Sequence, residues 1–331
     1  MKKIGFVTPW YGDQIPGGAE MELRGLVKHL AAAGVELEIL TTCVEKFLSD
    51  WNVDFHRAGL TQEGGISVRR FRVRKRNTTI FDQINGKLMR NEKISREEEE
   101  IYEREMINSP ELYKYMKQHK DEYGLFVFIP YMFGTTYYGC QIALEKSVLI
   151  PCLHDESYAY MSIFKDVFSK VAGMIFHSEP ERKLAEKLYG VAGSCFVNLG
   201  EGLDTEFTCD ARRFCEKYNI HQPFILYAGR KEAGKRVDVL IQYFMDYKKR
   251  NHDDLKLVLI GGGEIDIPST DIIDLGFVSA QDKYDAYAAA SLFCNPSQFE
   301  SFSLVIMESW LAGTPVLVNG DCEVTRDFVT R

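Results

Sequence analysis

Hydrophobic positions in the first two hundred residues follow two alternating rhythms. Short, nearly continuous apolar runs such as Ile4-Gly5-Phe6-Val7 and Leu125-Phe126-Val127-Phe128-Ile129 are separated by longer stretches whose apolar residues recur every three or four positions. Runs of the first kind fit buried strands, and the second period fits amphipathic helices. Strands are predicted at 3–8, 36–41, 66–71, 125–129, 148–152, 174–177 and 195–197, and helices at 20–33, 135–144, 159–170 and 180–189. Such alternation implies a parallel sheet covered by helices. A helix-rich insertion at 81–123 interrupts it. There Phe81, Ile84 and Leu88 share one helical face, and Ile94, Ile101 and Tyr102 another, so these helices are expected to pack on other parts of the chain.

The rhythm breaks at Asn198-Leu199-Gly200-Glu201-Gly202-Leu203-Asp204, where two glycines and no helical period mark a linker. A second series follows, with strands at 224–228, 256–260, 272–275, 292–295 and 315–318 and helices at 237–249, 281–290 and 303–312. The pattern divides the chain into a first Rossmann-like domain at 1–199, a linker at 200–207 and a second domain at 208–331. The fold class is therefore α/β.

Composition narrows the functional classes. At 331 residues the chain can bury two cores, and 45% hydrophobic with 27% charged residues is a globular composition. A net charge of −8 argues against nucleic acid as a partner. No apolar run approaches the roughly 20 residues that span a bilayer, and the apolar part of 1–7 is too short for a signal peptide. The eight cysteines include no CxxC pair, which fits a reduced, cytoplasmic protein. Cys152, His154 and Asp155 are neighbours in sequence, but no second cluster with ligand spacing accompanies them, so no metal is expected. The basic stretch Arg69-Arg70-Phe71-Arg72-Val73-Arg74-Lys75-Arg76 allows peripheral contact with an anionic membrane. Its alternation also fits a strand with one solvated face, and that reading is preferred.

The residues with chemistry concentrate near the end of the chain. In Phe299-Glu300-Ser301-Phe302-Ser303-Leu304-Val305-Ile306-Met307-Glu308, two glutamates bracket a helix start. Carboxylates accept hydrogen bonds from sugar hydroxyls, and a helix start offers N–H groups and partial positive charge to phosphate. Eight helical steps cover roughly 12 Å, the reach of a sugar–diphosphate–ribose unit. With Asn295-Pro296-Ser297 before it and Ala312-Gly313-Thr314-Pro315-Val316 after it, this segment resembles the donor-site signature of the retaining glycosyltransferases of family 4.

That resemblance implies the GT-B fold, two Rossmann-like domains whose parallel sheets face across a cleft. It assigns Glu300 to sugar hydroxyls, Glu308 to the ribose, and the N–H groups of Ser303 and Leu304 to phosphate. Family members usually carry Gly where Ser303 stands; a Ser there is expected to adopt the helix start and cap it. Arg230 and Lys235, five apart in Gly229-Arg230-Lys231-Glu232-Ala233-Gly234-Lys235-Arg236, match the basic pair on the donor diphosphate. Gly17 and Gly18 match the loop opposite that diphosphate, His154 a contact to the transferred sugar with Asp155 beside it, and Gly262 and Val278 the loops around the base. His177, after another strand, is read as structural.

The resemblance implies a retaining transfer from a nucleoside-diphosphate sugar to a hydroxyl acceptor, a glycan or lipid-linked glycan, with no cofactor and no metal. It implies a role in cell-surface polysaccharide or glycolipid synthesis, in the cytoplasm or on the inner face of the membrane. Family members continue beyond the point where this sequence ends, so the second domain is expected to be incomplete at its carboxyl terminus. Two alternatives stay open: a nucleotide-sugar epimerase on the same fold, and a catalytically idle nucleotide-sugar-binding subunit.

Overall fold

The computed structural model describes residues 2–13, 15–193 and 195–330; Gln14 lies outside them. The chain divides into two compact units between Gly202 and Leu203.

The first unit runs β1 (Lys3–Val7), α1 (Gly18–Ala32), β2 (Leu37–Thr42), β3 (Gly59–Glu63), β4 (Ile66–Phe71), α2 (Thr78–Met89), α3 (Arg96–Glu105), α4 (Pro110–His119) and β5 (Tyr123–Phe128). It continues through α5 (Gly134–Cys140), β6 (Ser147–Leu149), α6 (Ser162–Phe168), β7 (Gly173–Phe176), α7 (Glu179–Tyr189) and β8 (Phe196–Asn198). The strands form one sheet in the order β3-β4-β2-β1-β5-β6-β7-β8. All neighbours are parallel except β3 and β4. Successive side chains on a strand point to opposite faces. Phe6, Ile39 and Val127 accordingly join Leu23 and Val27 of α1 on one side. Val7, Leu40, Phe126 and Phe128 enter the core on the other. Burial on both faces is why these strands read as nearly continuous apolar runs.

Three features depart from the sequence pattern. β3 was not anticipated, because it lies exposed at the sheet edge and lacks an apolar face. It pairs antiparallel with β4, and the Glu63–Ile66 register leaves Gly64-Gly65 as a two-residue turn, both with positive φ. The expected helix at 135–144 is shorter, ending at Cys140 before a 3-10 turn at Leu144–Lys146. The expected helix at 159–170 splits where Met161 turns extended, between a 3-10 turn at Ser157–Tyr160 and α6.

The insertion packs on the sheet's own core. Phe81, Ile84, Leu88 and Tyr102 are buried in it, with Ile94 and Ile101 against them. Each insertion helix has a side-chain cap: Asn77 for α2, Ser95 with Glu98 in a capping box for α3, and Ser109 for α4. The basic stretch is largely consumed within the same unit. Arg69 bonds Glu38 at 2.7 Å, and the buried Arg70 pairs with Glu63 and donates to Tyr11 O. Arg74 pairs with Glu105, and Arg76 lies over the rings of Trp51 and Phe81.

The second unit runs α8 (Ala211–Tyr218), β9 (Phe224–Ala228), α9 (Val237–Arg250), β10 (Lys256–Ile260), β11 (Ile272–Asp274), α10 (Ala280–Ala289), β12 (Leu292–Asn295), α11 (Leu304–Leu311), β13 (Val316–Val318) and α12 (Glu323–Thr330). Its sheet, β11-β10-β9-β12-β13, is parallel throughout. Leu226, Val258 and Phe293 fill one face; Tyr227, Leu257 and Leu259 fill the other. The sequence pattern missed α8 and α12. Asp210 caps α8, Asn219 ends it in a left-handed turn, and Arg213 and Lys217 dock it on Asp285 and Asp282 of α10. Phe214 anchors α8 in the core with Tyr218 against it, but at eight residues the helix carries too few apolar positions to show a period. Among the described residues, no helix is long and apolar enough to cross a membrane.

Candidate active site

In the second unit, the loops after β9, β10 and β12 leave the carboxyl ends of adjacent parallel strands, where open α/β sheets place their ligands. After β9, Gly229 N donates to Ile260 O at 3.0 Å. Gly261, after β10, has φ 119°, and a Cβ there would lie 2.0 Å from Gly229 O. Only glycine allows the two loops to approach this closely.

Lys231 ties those loops together. Its buried ammonium donates to Gly261 O and to Gly263 O, and lies 3.1 Å from Asp274. Its own N–H bonds Gly262 O at 2.8 Å. Between two matched cations, this third one was overlooked because only the fold shows that it points inward. Arg230 is outward, 3.2 Å from Glu232, with its carbonyl accepting from Tyr227 OH. Gly262 faces the ring of Phe277, itself 71% exposed, and Val278 packs at the edge of the core.

Lys235 reaches Glu300, with Nζ 2.8 Å from Oε1. The structure therefore brings together one of the two basic residues and the first glutamate of the motif. Asn295, the last residue of β12, donates to Ser303 Oγ at 2.9 Å and lies 3.4 Å from Glu300 Oε1. Ser303 precedes α11 with φ 95° and makes no side-chain cap bond. The expected capping does not occur. A left-handed backbone turns the hydroxyl toward Asn295 instead of toward the helix amides, and this is a conformation that favours Gly. Leu304 opens the helix.

Glu308 is 1% exposed. Lys283 of α10 pairs with its Oε1, and Tyr287 OH donates to its Oε2 at 3.1 Å. Both partners escaped sequence reading because they come from a neighbouring helix. Burial, and then the Glu308 charge, raise the Tyr287 phenol well above its ordinary range, so it stays a donor.

In the first unit, Gly17 precedes and Gly18 opens α1, where Glu20 accepts from Trp10 Nε1 at 2.7 Å. A Cβ on Gly18 would meet nothing, so that position is open rather than crowded. His154 is partly exposed, with Nδ1 3.6 Å from Glu156, and Asp155 accepts from Tyr160 OH at 2.7 Å. Neither is gathered with Cys152. The side chains that do meet Cys152 are Glu22 and His177. Burial alone would push the His177 imidazole down; Glu22, Glu181 and Glu201 outweigh it and lift it to about 9.

Comparison with known proteins enters at this point. Residues 222–330, almost all of the second unit, match the family described as Glycosyl transferases group 1. An uncharacterized glycosyltransferase of Methanocaldococcus jannaschii is 30% identical over 108 residues, 30% of this chain and 27% of its own length. The D-inositol 3-phosphate glycosyltransferase of Corynebacterium aurimucosum is 30% identical over 151 residues, 39% of this chain and 36% of its own length. The chain thus spans little more than a third, at most, of these curated relatives. Among solved structures, HepE of Anabaena in complex with UDP is similar over 99% of this chain and 83% of that one, at 16% identity and a TM-score of 0.68. The chain has the GT-B fold, and its second unit is similar to the group 1 glycosyl transferases.

Proposed function

We propose that this protein is a retaining glycosyltransferase that moves a sugar from a nucleoside-diphosphate sugar to a hydroxyl acceptor. The observation that carries the reading is the contact of Lys235 with Glu300 at the carboxyl ends of the second sheet. It sets a fixed cation beside a carboxylate that accepts hydroxyl hydrogen bonds, at the start of α11. A diphosphate leaving group gains negative charge as the glycosidic bond breaks. Lys235 and Arg230 would stabilise that charge in place of a metal, and one such contact contributes about 2–4 kcal/mol. Glu300 would orient the transferred sugar. Glu308 would hold the ribose, sharing its oxygens with Lys283 and Tyr287. Gly17, Gly18 and His154 are the first unit's candidates for the diphosphate and sugar. No cofactor is needed.

The acceptor is proposed as a glycan or lipid-linked glycan made for the cell surface, with the enzyme in the cytoplasm. Peripheral membrane contact has the weakest support, since Arg69, Arg70, Arg74 and Arg76 all have internal partners.

The test is a thermal-shift panel with UDP, GDP, ADP and CDP on wild type, Glu308→Ala and Lys28→Ala. At 100 times its dissociation constant a ligand stabilises the protein by about 2.7 kcal/mol. One nucleotide should shift wild type and Lys28→Ala alike and Glu308→Ala far less. Equal shifts in all three would remove Glu308 from the site, and no shift with any nucleotide would sink the donor reading. An inverted anomeric product would overturn retention.

A further inference from the structure

A second cluster of polar side chains occupies the carboxyl ends of β6, β7 and β8, three adjacent parallel strands of the first unit. Cys152 follows β6, His177 follows β7, Glu201 follows β8, and Glu22 reaches in from α1. The ligand atoms of Glu22, Cys152 and His177 all lie within 4.8 Å of one another. Cys152 Sγ is 3.7 Å from Glu22 Oε2, and His177 Nε2 is 3.9 Å from Glu201 Oε1. Ligand atoms on a tetrahedral zinc ion stand about 3.3–3.8 Å apart, given its usual bond lengths. His177 Nε2 and Glu22 Oε1 are closer, at 2.6 Å, because a proton lies between them.

Three further observations point the same way. The other ring nitrogen, His177 Nδ1, is 3.5 Å from Glu181 Oε2, a charge contact rather than a hydrogen bond, which sets a carboxylate behind the imidazole. Glu181 is itself fixed by the N–H groups of Leu153 and His177, both at 2.6 Å. Finally, Cys152 holds a left-handed φ of 50°, and strain of this kind collects at functional positions. Cys152 and Glu22 are intermediate in burial, and His177 is buried.

We propose that Glu22, Cys152 and His177, with Glu201 beside them, form a three-ligand binding site for a zinc-type divalent cation. Binding displaces two protons, one from the His177–Glu22 pair and one from the Cys152 thiol, so the charge of the site is unchanged. The ion joins α1 to the ends of β6 and β7. Sequence reading expected no metal because it sought ligands close together in the chain, whereas these come from three separate elements.

The experiment is a titration of the full chain with Co²⁺, read by thiolate-to-cobalt charge-transfer absorption, followed by displacement with Zn²⁺. Wild type should show the band at one ion per chain. Cys152→Ser should lose it while keeping its urea unfolding midpoint in EDTA. A Cys195→Ser/Cys209→Ser variant, lacking the two exposed thiols, should keep it. Glu181→Gln should keep the band and bind about 10–100-fold more weakly. A wild type without the band, a band that survives Cys152→Ser, or one lost with Cys195 and Cys209 would overturn the proposal. None of these readouts depends on transferase activity.

Discussion

The two sheets present their carboxyl ends with opposite chemistry. At the ends of β6, β7 and β8, acids gather around one imidazole: Glu22, Glu181 and Glu201 lie within 4 Å of His177. At the ends of β9 and β10, glycines and cations dominate, with Arg230 and Lys235 on one loop and Gly261-Gly262-Gly263 on the next. One strand-end geometry therefore gathers carboxylates around a histidine in one unit and glycines with arginine and lysine in the other. The scaffold decides where a site lies; side-chain charge decides what it attracts.

Reversing the cationic side should have the largest effect. Lys235→Ala is expected to slow sugar transfer, or donor hydrolysis without acceptor, by about 10²–10³-fold, the usual cost of removing one preorganised charge contact. Steady-state kinetics would check this, and an unchanged rate would dissolve the contrast between the two units. Lys231→Met tests the cation that holds structure instead of ligand. It removes the charged partner of the Gly261 and Gly263 carbonyls and of Asp274, and should cost about 1–2 kcal/mol in urea unfolding of the second unit.

Position 303 sharpens the comparison on a smaller scale. Ser303→Ala keeps the strained backbone and loses the Asn295 hydrogen bond, so a loss of about 1 kcal/mol is expected. Ser303→Gly loses the same bond but relieves a left-handed residue worth about 1–2 kcal/mol. Its denaturation midpoint should sit at or slightly above that of wild type. A Gly variant less stable than the Ala variant would show that the φ of 95° carries no strain.

These residues also mark what could be read from sequence. The doubly buried strands were legible because both faces are apolar, and the motif glutamates because their spacing is local. β3 was not, since an exposed edge strand has no hydrophobic period, although Gly64-Gly65 signalled its turn. Lys231, Lys283 and Tyr287 were missed for another reason. Their roles depend on a neighbouring loop or helix, and nothing in their own segments distinguishes them from solvated or core residues. Glu22, Cys152 and His177 are the extreme case, separated by up to 155 positions yet gathered from α1 and the ends of two parallel strands. The capping expectation for Ser303 failed because a local rule met a backbone that had already turned left-handed.

The borders of the two sheets carry a last consequence. Three of the four outermost strands, β8, β11 and β13, have only three residues each. The fourth, β3, has five, and presents Thr61, Gln62 and Glu63 with Leu60 as its one large apolar side chain. Unpaired strand borders are templates on which a second chain can extend a sheet, and proteins blunt them by brevity and polarity. An incoming strand would find few backbone partners here and little apolar surface to cover. The folded chain should therefore resist sheet-to-sheet polymerisation even at high concentration.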